Sequence, residues 1–402
     1  MSRDGFGYGI IGCGWVAPAH AWGVRALADA NVRLLGVADK DLDRAERLAR
    51  DFHAPDVYGD YRQLLARADV QAVSICLPDF LHREVALAAA AAGKHVLCEK
   101  PLALDLAAAD EMIAACERHG VALGLIMNHR YFPDNIRTKH AIREGALGRV
   151  LLGSVIHSSA LTGDPSGTSP WRGRRGLAAG GILTTQAIHF LDLLLWFSGP
   201  VRAVKAWTDT LVRSEQDYED TAVLALQFQS GALATLATTN GAPITDDFTG
   251  TRVEIHGTDG YVMLEGDKLR LVAAREGYRL PEVRLPPTPA GADQVIFGLG
   301  HAYEIIDFVT AVRRGGRPPV PGADGRHLMA VLSAAYTSAR DHKEVLIDEH
   351  LPAYADVPND DHSLLIQGSA RERALPNEDK RSDRKPTTPS ACTVDERGEV
   401  RG

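Results

Sequence analysis

Cysteine is scarce in this chain. Five occur among 402 residues, Cys13, Cys76, Cys98, Cys116 and Cys392, and none forms a C-x-x-C pair. That spacing suggests neither a zinc site nor a disulfide framework. The first four lie in apolar surroundings, where a reduced thiol behaves as a small core residue, so a reducing, cytoplasmic setting is expected. Long apolar runs are missing: nothing approaches the roughly 20 residues that span a bilayer. Met1-Ser2-Arg3-Asp4 opens directly on a strand without a signal-peptide pattern, and no membrane partner is expected. Strong charge is missing as well. A net charge of −8 argues against nucleic acid as a partner and implies little beyond solubility. There is no internal repeat. What remains, 45% apolar and 24% charged residues, is the composition of an ordinary globular chain. Its length calls for two domains, at roughly 150 residues each.

The first half alternates strands with helices. Tyr8-Gly9-Ile10-Ile11 is a short apolar strand, followed by Gly12-Cys13-Gly14-Trp15-Val16-Ala17 and an alanine-rich helix to about Leu27. This is G-x-G-x-x-A between strand and helix. Gly12 permits the tight turn, Gly14 lets the backbone approach a pyrophosphate, and Ala17 is small enough for the helix to pack on the strand. Trp15 and Val16 complete the loop, and the helix N-terminus offers free N–H groups to phosphates. A second apolar strand, Val32 to Ala38, ends in Asp39, roughly 25 residues past the glycines, where an acidic residue can bind the adenosine ribose. The alternative is that Asp39 caps the following helix. An acid here favours NAD, whereas the adjacent Lys40 leaves NADP possible.

The pattern continues with helices at Leu42–Asp51 and Tyr61–Leu65, a strand at Ala72–Leu77 and a helix at Leu81–Ala92. Next come a strand at His95–Cys98, a helix at Leu106–His119 and a strand at Val121–Ile126. These lengths predict a parallel sheet covered on both faces. Ligands of such sheets sit beyond the carboxyl ends of the strands. The informative positions are therefore Gly12, Asp39, Leu77, Pro78, Glu99, Lys100 and Asn128. Pro78 and His82 could line the nicotinamide side, and His82 could equally be a helix N-terminal residue with a structural bond. Lys100 stands out: a lysine at a strand end, held by Pro101, can donate to a reacting oxygen. Pairing with Glu99 is less natural, since adjacent strand residues point to opposite faces.

Beyond Asn128 the texture changes. A helix at about Asn135–Glu144 precedes strands punctuated by hairpin turns, from Val150–Ser159 to Leu269–Ala273. A helix at Thr185–Phe197 interrupts them, and helices at Tyr303–Val312 and Arg326–Ala339 close the region. The alternation in Thr221–Phe228 is that of a sheet with two unlike faces. The fold class expected is α/β: an N-terminal Rossmann doubly wound parallel sheet (1–127) plus a C-terminal α+β domain with a mostly antiparallel open sheet (128–352). Residues 353–402, rich in charge, proline and serine, read as a disordered tail.

Several motifs in order carry a family resemblance. They are Gly12 to Ala17, Leu77-Pro78-Asp79-Phe80-Leu81-His82, and Gly93-Lys94-His95-Val96-Leu97-Cys98-Glu99-Lys100-Pro101. Asn128-His129-Arg130-Tyr131-Phe132-Pro133, Gly180 to Asp192 and Asp324-Gly325-Arg326 follow. Over about residues 6 to 350 the chain resembles the Gfo/Idh/MocA oxidoreductases, of the glucose-fructose oxidoreductase and inositol dehydrogenase type. The resemblance implies a nicotinamide-dependent enzyme acting on a secondary alcohol of a sugar, cyclic polyol or related compound. The open sheet face of the second domain would be a natural subunit contact for a homo-oligomer, a dimer or tetramer. The resemblance maps the family's E-K-P lysine onto Lys100 and its active-site histidine onto His189. The aspartate that many members carry four residues before that histidine is Thr185 here, and Ala179 replaces the first glycine of the usual triplet. Relatives also include glycosidases that use tightly bound NAD for transient oxidation and non-enzymatic cofactor-binding regulators; the latter reading predicts a lost lysine or histidine, and both are present.

A histidine has a pKa near the working pH of a general base, which suits His189 for removing the hydroxyl proton. On a continuous helix, Thr185 and His189 would share one face, with the threonine hydroxyl bonding substrate or His189. For Arg130, clamping substrate and forming an interdomain salt bridge are equal alternatives. Trp171 and Arg172, in the loop Thr162–Gly176, could cover a sugar face. His157, His256 and His301 read as structural, and no metal is expected.

Overall fold

The computed structural model describes residues 5–160, 171–242, 250–274, 277–285 and 299–347, together with the backbone of 392–394 and 400–401. Along its first part run β1 (Phe6–Ile11), α1 (Ala17–Arg25), β2 (Val32–Ala38), α2 (Leu42–Phe52), β3 (Asp56–Tyr58), α3 (Tyr61–Leu65), β4 (Ala72–Ile75), α4 (Asp79–Ala91), β5 (His95–Cys98), α5 (Leu106–Arg118) and β6 (Leu123–Leu125). The strands form one six-stranded sheet in the order β3-β2-β1-β4-β5-β6, every pair parallel. β1 and β4 are buried along their whole length. A sheet covered on both faces has no polar side, which is why these strands read as continuous apolar runs rather than alternations. The strand order reverses between β1 and β4, and the cleft above that switch point is the expected ligand site. Edge strand β3 was not foreseen. Its three residues are too few to carry a periodicity.

The chain then forms α6 (Pro133–Arg143), β7 (Val150–Ser158), α7 (Ile182–Thr185), α8 (Ile188–Ser198), β8 (Val201–Asp209), β9 (Thr221–Phe228), β10 (Leu233–Thr239), β11 (Thr251–Gly257), β12 (Tyr261–Glu265), β13 (Lys268–Ala273), α9 (Gly300–Arg313), α10 (Gly322–Asp341) and β14 (Val345–Leu346). A ten-stranded sheet takes the order β14-β8-β9-β10-β7-β11-β12-β13-β15-β16, where β15 is Cys392–Val394 and β16 is Val400–Arg401. Among its described strands only β7 and β10 pair in parallel. The tail 353–402 lies mostly outside the described residues, yet these two short strands extend the sheet edge from β13, so that part is not structureless.

β9 alternates buried and exposed along its length. On β7 of the same sheet packs α8, whose Leu191, Leu193, Leu194, Leu195, Trp196 and Phe197 are all buried. A helix apolar on every side must be enclosed on every side. α9 and α10 run back to the first sheet. Ile305, Phe308, Val309 and Val312 of α9 share a core with Tyr8, Ile10 and Val24. α10 packs on both α5 and β8. Residue 127 thus separates two sheets but not two independent cores.

Candidate active site

The glycine-rich loop has the geometry a pyrophosphate requires. Gly12 has φ +90, and a Cβ there would stand 2.2 Å from the Cys76 carbonyl oxygen; only glycine fits. Above Gly14 the space is open: a Cβ would meet nothing within 4 Å. Helix α1 begins with Ala17, carries no acidic residue in its first turn and has no side-chain cap. Its N–H groups are therefore left for an anion. Trp15 is exposed at the rim, and Leu77 and Pro78 are half-buried where β4 ends. These features fit a dinucleotide.

Asp39 stands at the end of β2 with its carboxylate turned to the loop. It accepts the Cys13 N–H at 2.7 Å and the Asp41 N–H at 2.9 Å. The cap of α2 is Asp41, which accepts the Arg44 N–H, so the capping alternative for Asp39 fails. Lys40 is exposed beside it. Asp39→Ala should shift the kcat/KM ratio toward NADP by about tenfold, the worth of one ribose hydrogen bond to a carboxylate of about 1.5 kcal/mol. Initial rates with both cofactors check this; an unchanged ratio removes Asp39 as the ribose reader.

The turn after β5 places Glu99 and Lys100 back to back. Glu99 is buried and accepts His20 Nε2 at 2.9 Å and His301 Nε2 at 3.3 Å, while its other oxygen takes the Lys100 N–H at 3.2 Å. Burial alone would raise its pKa, but the hydrogen bonds from His20 and His301 outweigh it and hold the carboxylate well below its ordinary range. His20 Nδ1 bonds Ser74 Oγ at 2.8 Å, which bonds the Tyr8 hydroxyl at 2.8 Å. His20, Glu99 and His301 group closely enough to suggest a metal. A neutral His20 donating to Glu99 and accepting from Ser74 satisfies the same contacts without one. Glu99, expected beside the cofactor, instead braces the turn from beneath.

Lys100 projects the other way, and its bond to Pro101 is cis. Its Nζ donates to the Thr185 carbonyl oxygen at 2.6 Å, across 85 positions of sequence. This contact joins the two halves of the site. It also overturns the expectation for Thr185. The helix foreseen over Thr185–Phe197 breaks at Gln186-Ala187 into α7 and α8, so Thr185 and His189 do not share a helical face. The Thr185 hydroxyl donates to the Gly181 carbonyl at 2.9 Å. A threonine next to a helix break readily bonds its own backbone in this way. What Thr185 offers the site is its carbonyl, not its hydroxyl.

His189 is half-buried at the start of α8. Its ring stacks on that of His129, with centroids 4.4 Å apart at 17°, and its Nδ1 is buried without a hydrogen-bond partner among the described residues. Burial, then the neighbouring His129, Lys100 and His301, hold its pKa well below the ordinary histidine value. His129 is pushed down to about 3 by burial and by Lys100. Both rings are neutral at neutral pH, the form that accepts a proton.

Other expected site residues are placed differently. Arg130, fully buried, gives a bidentate pair to Asp192 at 2.7 Å and a further bond to Asp324 at 2.8 Å. It ties the turn after β6 to α8 and α10, so the salt bridge, not the substrate clamp, is its role. His82 is also fully buried and bonds two backbone carbonyls; it does not line the cofactor cleft. Asn128 is buried with Oδ1 unpartnered among the described residues, an acceptor at the end of β6. Of the loop Thr162–Gly176, residues 162–170 lie outside the described residues. Arg172 stacks on Trp171 at 4.9 Å and lies 5.8 Å from the Trp15 ring. The second half of the chain thus reaches over the glycine loop.

His20 escaped the sequence analysis, which placed His129 and Asp79 only within motifs and read His301 as structural. No spacing links His301 to the rest, because α9 comes back across the first sheet. His20 had a faint signal, as a polar side chain one turn into an apolar helix.

A parallel sheet with an uncapped glycine-loop helix, and a lysine hooked to a histidine-bearing segment, defines a dinucleotide-dependent oxidoreductase. Residues 6–127 match the oxidoreductase family with an NAD-binding Rossmann fold, and residues 136–263 match the GFO/IDH/MocA C-terminal domain. The D-apiose dehydrogenase of Paraburkholderia graminis is 30% identical over 339 residues, 84% of this chain and 88% of that protein. The levoglucosan dehydrogenase of Pseudarthrobacter phenanthrenivorans is 27% identical over 387 residues, 85% and 97% of the two chains. A solved levoglucosan dehydrogenase in complex with NADH superimposes with a TM-score of 0.77 at 26% identity, covering 86% of this chain and all of that one. The chain belongs to the Gfo/Idh/MocA family of NAD-binding oxidoreductases.

Proposed function

We propose that this enzyme oxidises a secondary alcohol of a sugar or cyclic polyol, with NAD as the hydride acceptor. The observation that carries the proposal is the 2.6 Å contact from Lys100 Nζ to the Thr185 carbonyl, which brings a cation from the cofactor half beside the segment bearing His189. NAD, when bound, supplies the carbon that takes the hydride. His189 takes the hydroxyl proton as the C–H hydride departs, and the alcohol becomes a ketone. Lys100 donates a hydrogen bond to the reacting oxygen and steadies its negative charge. Trp171 and Arg172 border the substrate side. The names of the relatives, dehydrogenases of levoglucosan, D-apiose and myo-inositol, support this substrate class.

A panel of these sugars and polyols with NAD, followed at the absorbance of NADH, identifies the substrate. With that substrate, His189→Ala should lower kcat by about 10² to 10⁴, the ordinary worth of a general base; unchanged turnover removes the base role. The depressed pKa of His189 keeps the base neutral as pH falls through about 6.5, the free-histidine value. The acid limb of kcat/KM should therefore lie below that pH, and a limb above it contradicts the assignment.

We also infer a homo-oligomer joined through the outer face of the larger sheet. There Trp207, Val223, Ala237 and Ile156 form one row across β8, β9, β10 and β7, and the first, second and fourth are 55%, 42% and 56% exposed. No helix among the described residues is long and apolar enough to cross a membrane. The buried free thiols Cys13, Cys76, Cys98 and Cys116 support a reducing, cytoplasmic setting.

A further inference from the structure

The buried histidine of α4 has a hydrogen-bonding problem with one solution. His82 is 0% exposed. Its Nδ1 lies 2.8 Å from the Pro101 carbonyl oxygen and its Nε2 lies 2.8 Å from the Leu77 carbonyl oxygen. A carbonyl oxygen can only accept. A neutral imidazole has one N–H and one lone pair, so one of the two contacts would set lone pair against lone pair at hydrogen-bond distance. Two donors are needed, and only the imidazolium has them. We propose that His82 is a doubly protonated cation that pins the Leu77 and Pro101 carbonyls together and so acts as the positioning residue of the Lys100 turn.

The surroundings agree. Burial opposes the charge, but the Cys98 sulfur, the Asp79 carboxylate and the Leu77 carbonyl outweigh it, and the ring's pKa is pushed up to about 10. Asp79, itself buried at the start of α4, also feels Lys100 and Arg172, so His82 and Lys100 share one anion. The charged or titratable groups acting on the ring are thus Asp79 from α4 and Cys98 from β5. The two carbonyls it holds are the one where the chain leaves β4 and the one immediately after Lys100. A side chain with a single donor leaves one of these ends loose.

This inference deepens the function proposed above, since it rests on Lys100 acting at the reacting oxygen. Its tests use no substrate, so their failure is distinct from failure of that function. The first uses the full chain with NAD bound and 15N-labelled histidine. One ring should stay doubly protonated at pH 9, and its signal should vanish in His82→Gln. If no ring keeps both protons at pH 9, the cation is overturned. If the glutamine variant does not fold, Asp79→Asn serves instead. Loss of the anion should lower the pH at which that ring gives up its second proton, and an unmoved transition overturns the assignment to His82. The second test follows Lys100 by 13C at lysine Cε, assigned by the signal lost in Lys100→Arg. Loosening the turn in His82→Gln should shift or broaden that signal at fixed pH. A signal unchanged in position and width overturns the role of His82 in positioning the Lys100 turn.

Discussion

Lys100→Met should lower kcat by about 10² to 10³, the usual loss when one donor to a developing negative oxygen is removed. The methionine keeps most of the apolar stem and deletes only the ammonium. The folded state loses the bond to the Thr185 carbonyl, worth about 1 kcal/mol, so the thermal midpoint should barely move. NAD affinity should change little, because the glycine loop and Asp39 are untouched. Lys100→Arg should not restore the rate. A guanidinium is larger and planar and cannot place a single donor where the ammonium stood. Steady-state kinetics, NAD titration and thermal melting of the two variants decide the matter. A kcat within about threefold of the parent, or a loss confined to NAD affinity, would sink the placement of Lys100 at the reacting oxygen.

Arg130→Met should destabilise the protein by about 3–5 kcal/mol, the cost of breaking a buried ion pair from one side. The side chains of Arg130, Asp192 and Asp324 are 0%, 2% and 11% exposed. Removing the cation leaves two carboxylates in a site that water hardly reaches. Burial makes the pairing strong in effect only because the alternative, a buried charge without compensation, is so unfavourable. Replacing Asp192 with asparagine in the same background should recover part of the loss. Urea midpoints of the single and double variants give the coupling directly. A loss under about 1 kcal/mol would show that the arginine is dispensable to the junction between the turn after β6, α8 and α10.

Much of this protein is legible from its residues in order. Gly12, Gly14, Ala17 and Asp39 could be assigned because strand, loop, helix and strand end are local, and local geometry follows from short-range sterics and hydrogen bonding. The parallel sheet showed itself in apolar runs, and the second sheet in the alternation of Thr221–Phe228. Lys100 and His189 emerged from ordered motifs that resemble a family.

The places where sequence reasoning failed share a cause. Thr185 was put on a continuous helix because its composition allows one. The break at Gln186-Ala187 depends on packing that propensity does not contain. Arg130 could equally have faced a ligand or a carboxylate, and Asp324, 194 positions away, decided it. His82 could equally have lined the cleft or made a structural bond, and the Leu77 and Pro101 carbonyls, 5 and 19 positions away, made it a buried brace.

The sequence by itself determined the fold class, the glycine-rich loop and the pair of residues proposed for the reaction centre. Each of these is written in nearest neighbours or in motifs that follow one another in order. Only the tertiary structure decided how that centre is supported: His20 and His301 beneath Glu99, the Thr185 carbonyl on Lys100, His82 between two carbonyls, and Arg130 among three elements. The physical reason is that a buried polar group takes whichever partner the fold brings within about 3 Å, and that partner's position in the sequence leaves no mark beside the group it satisfies.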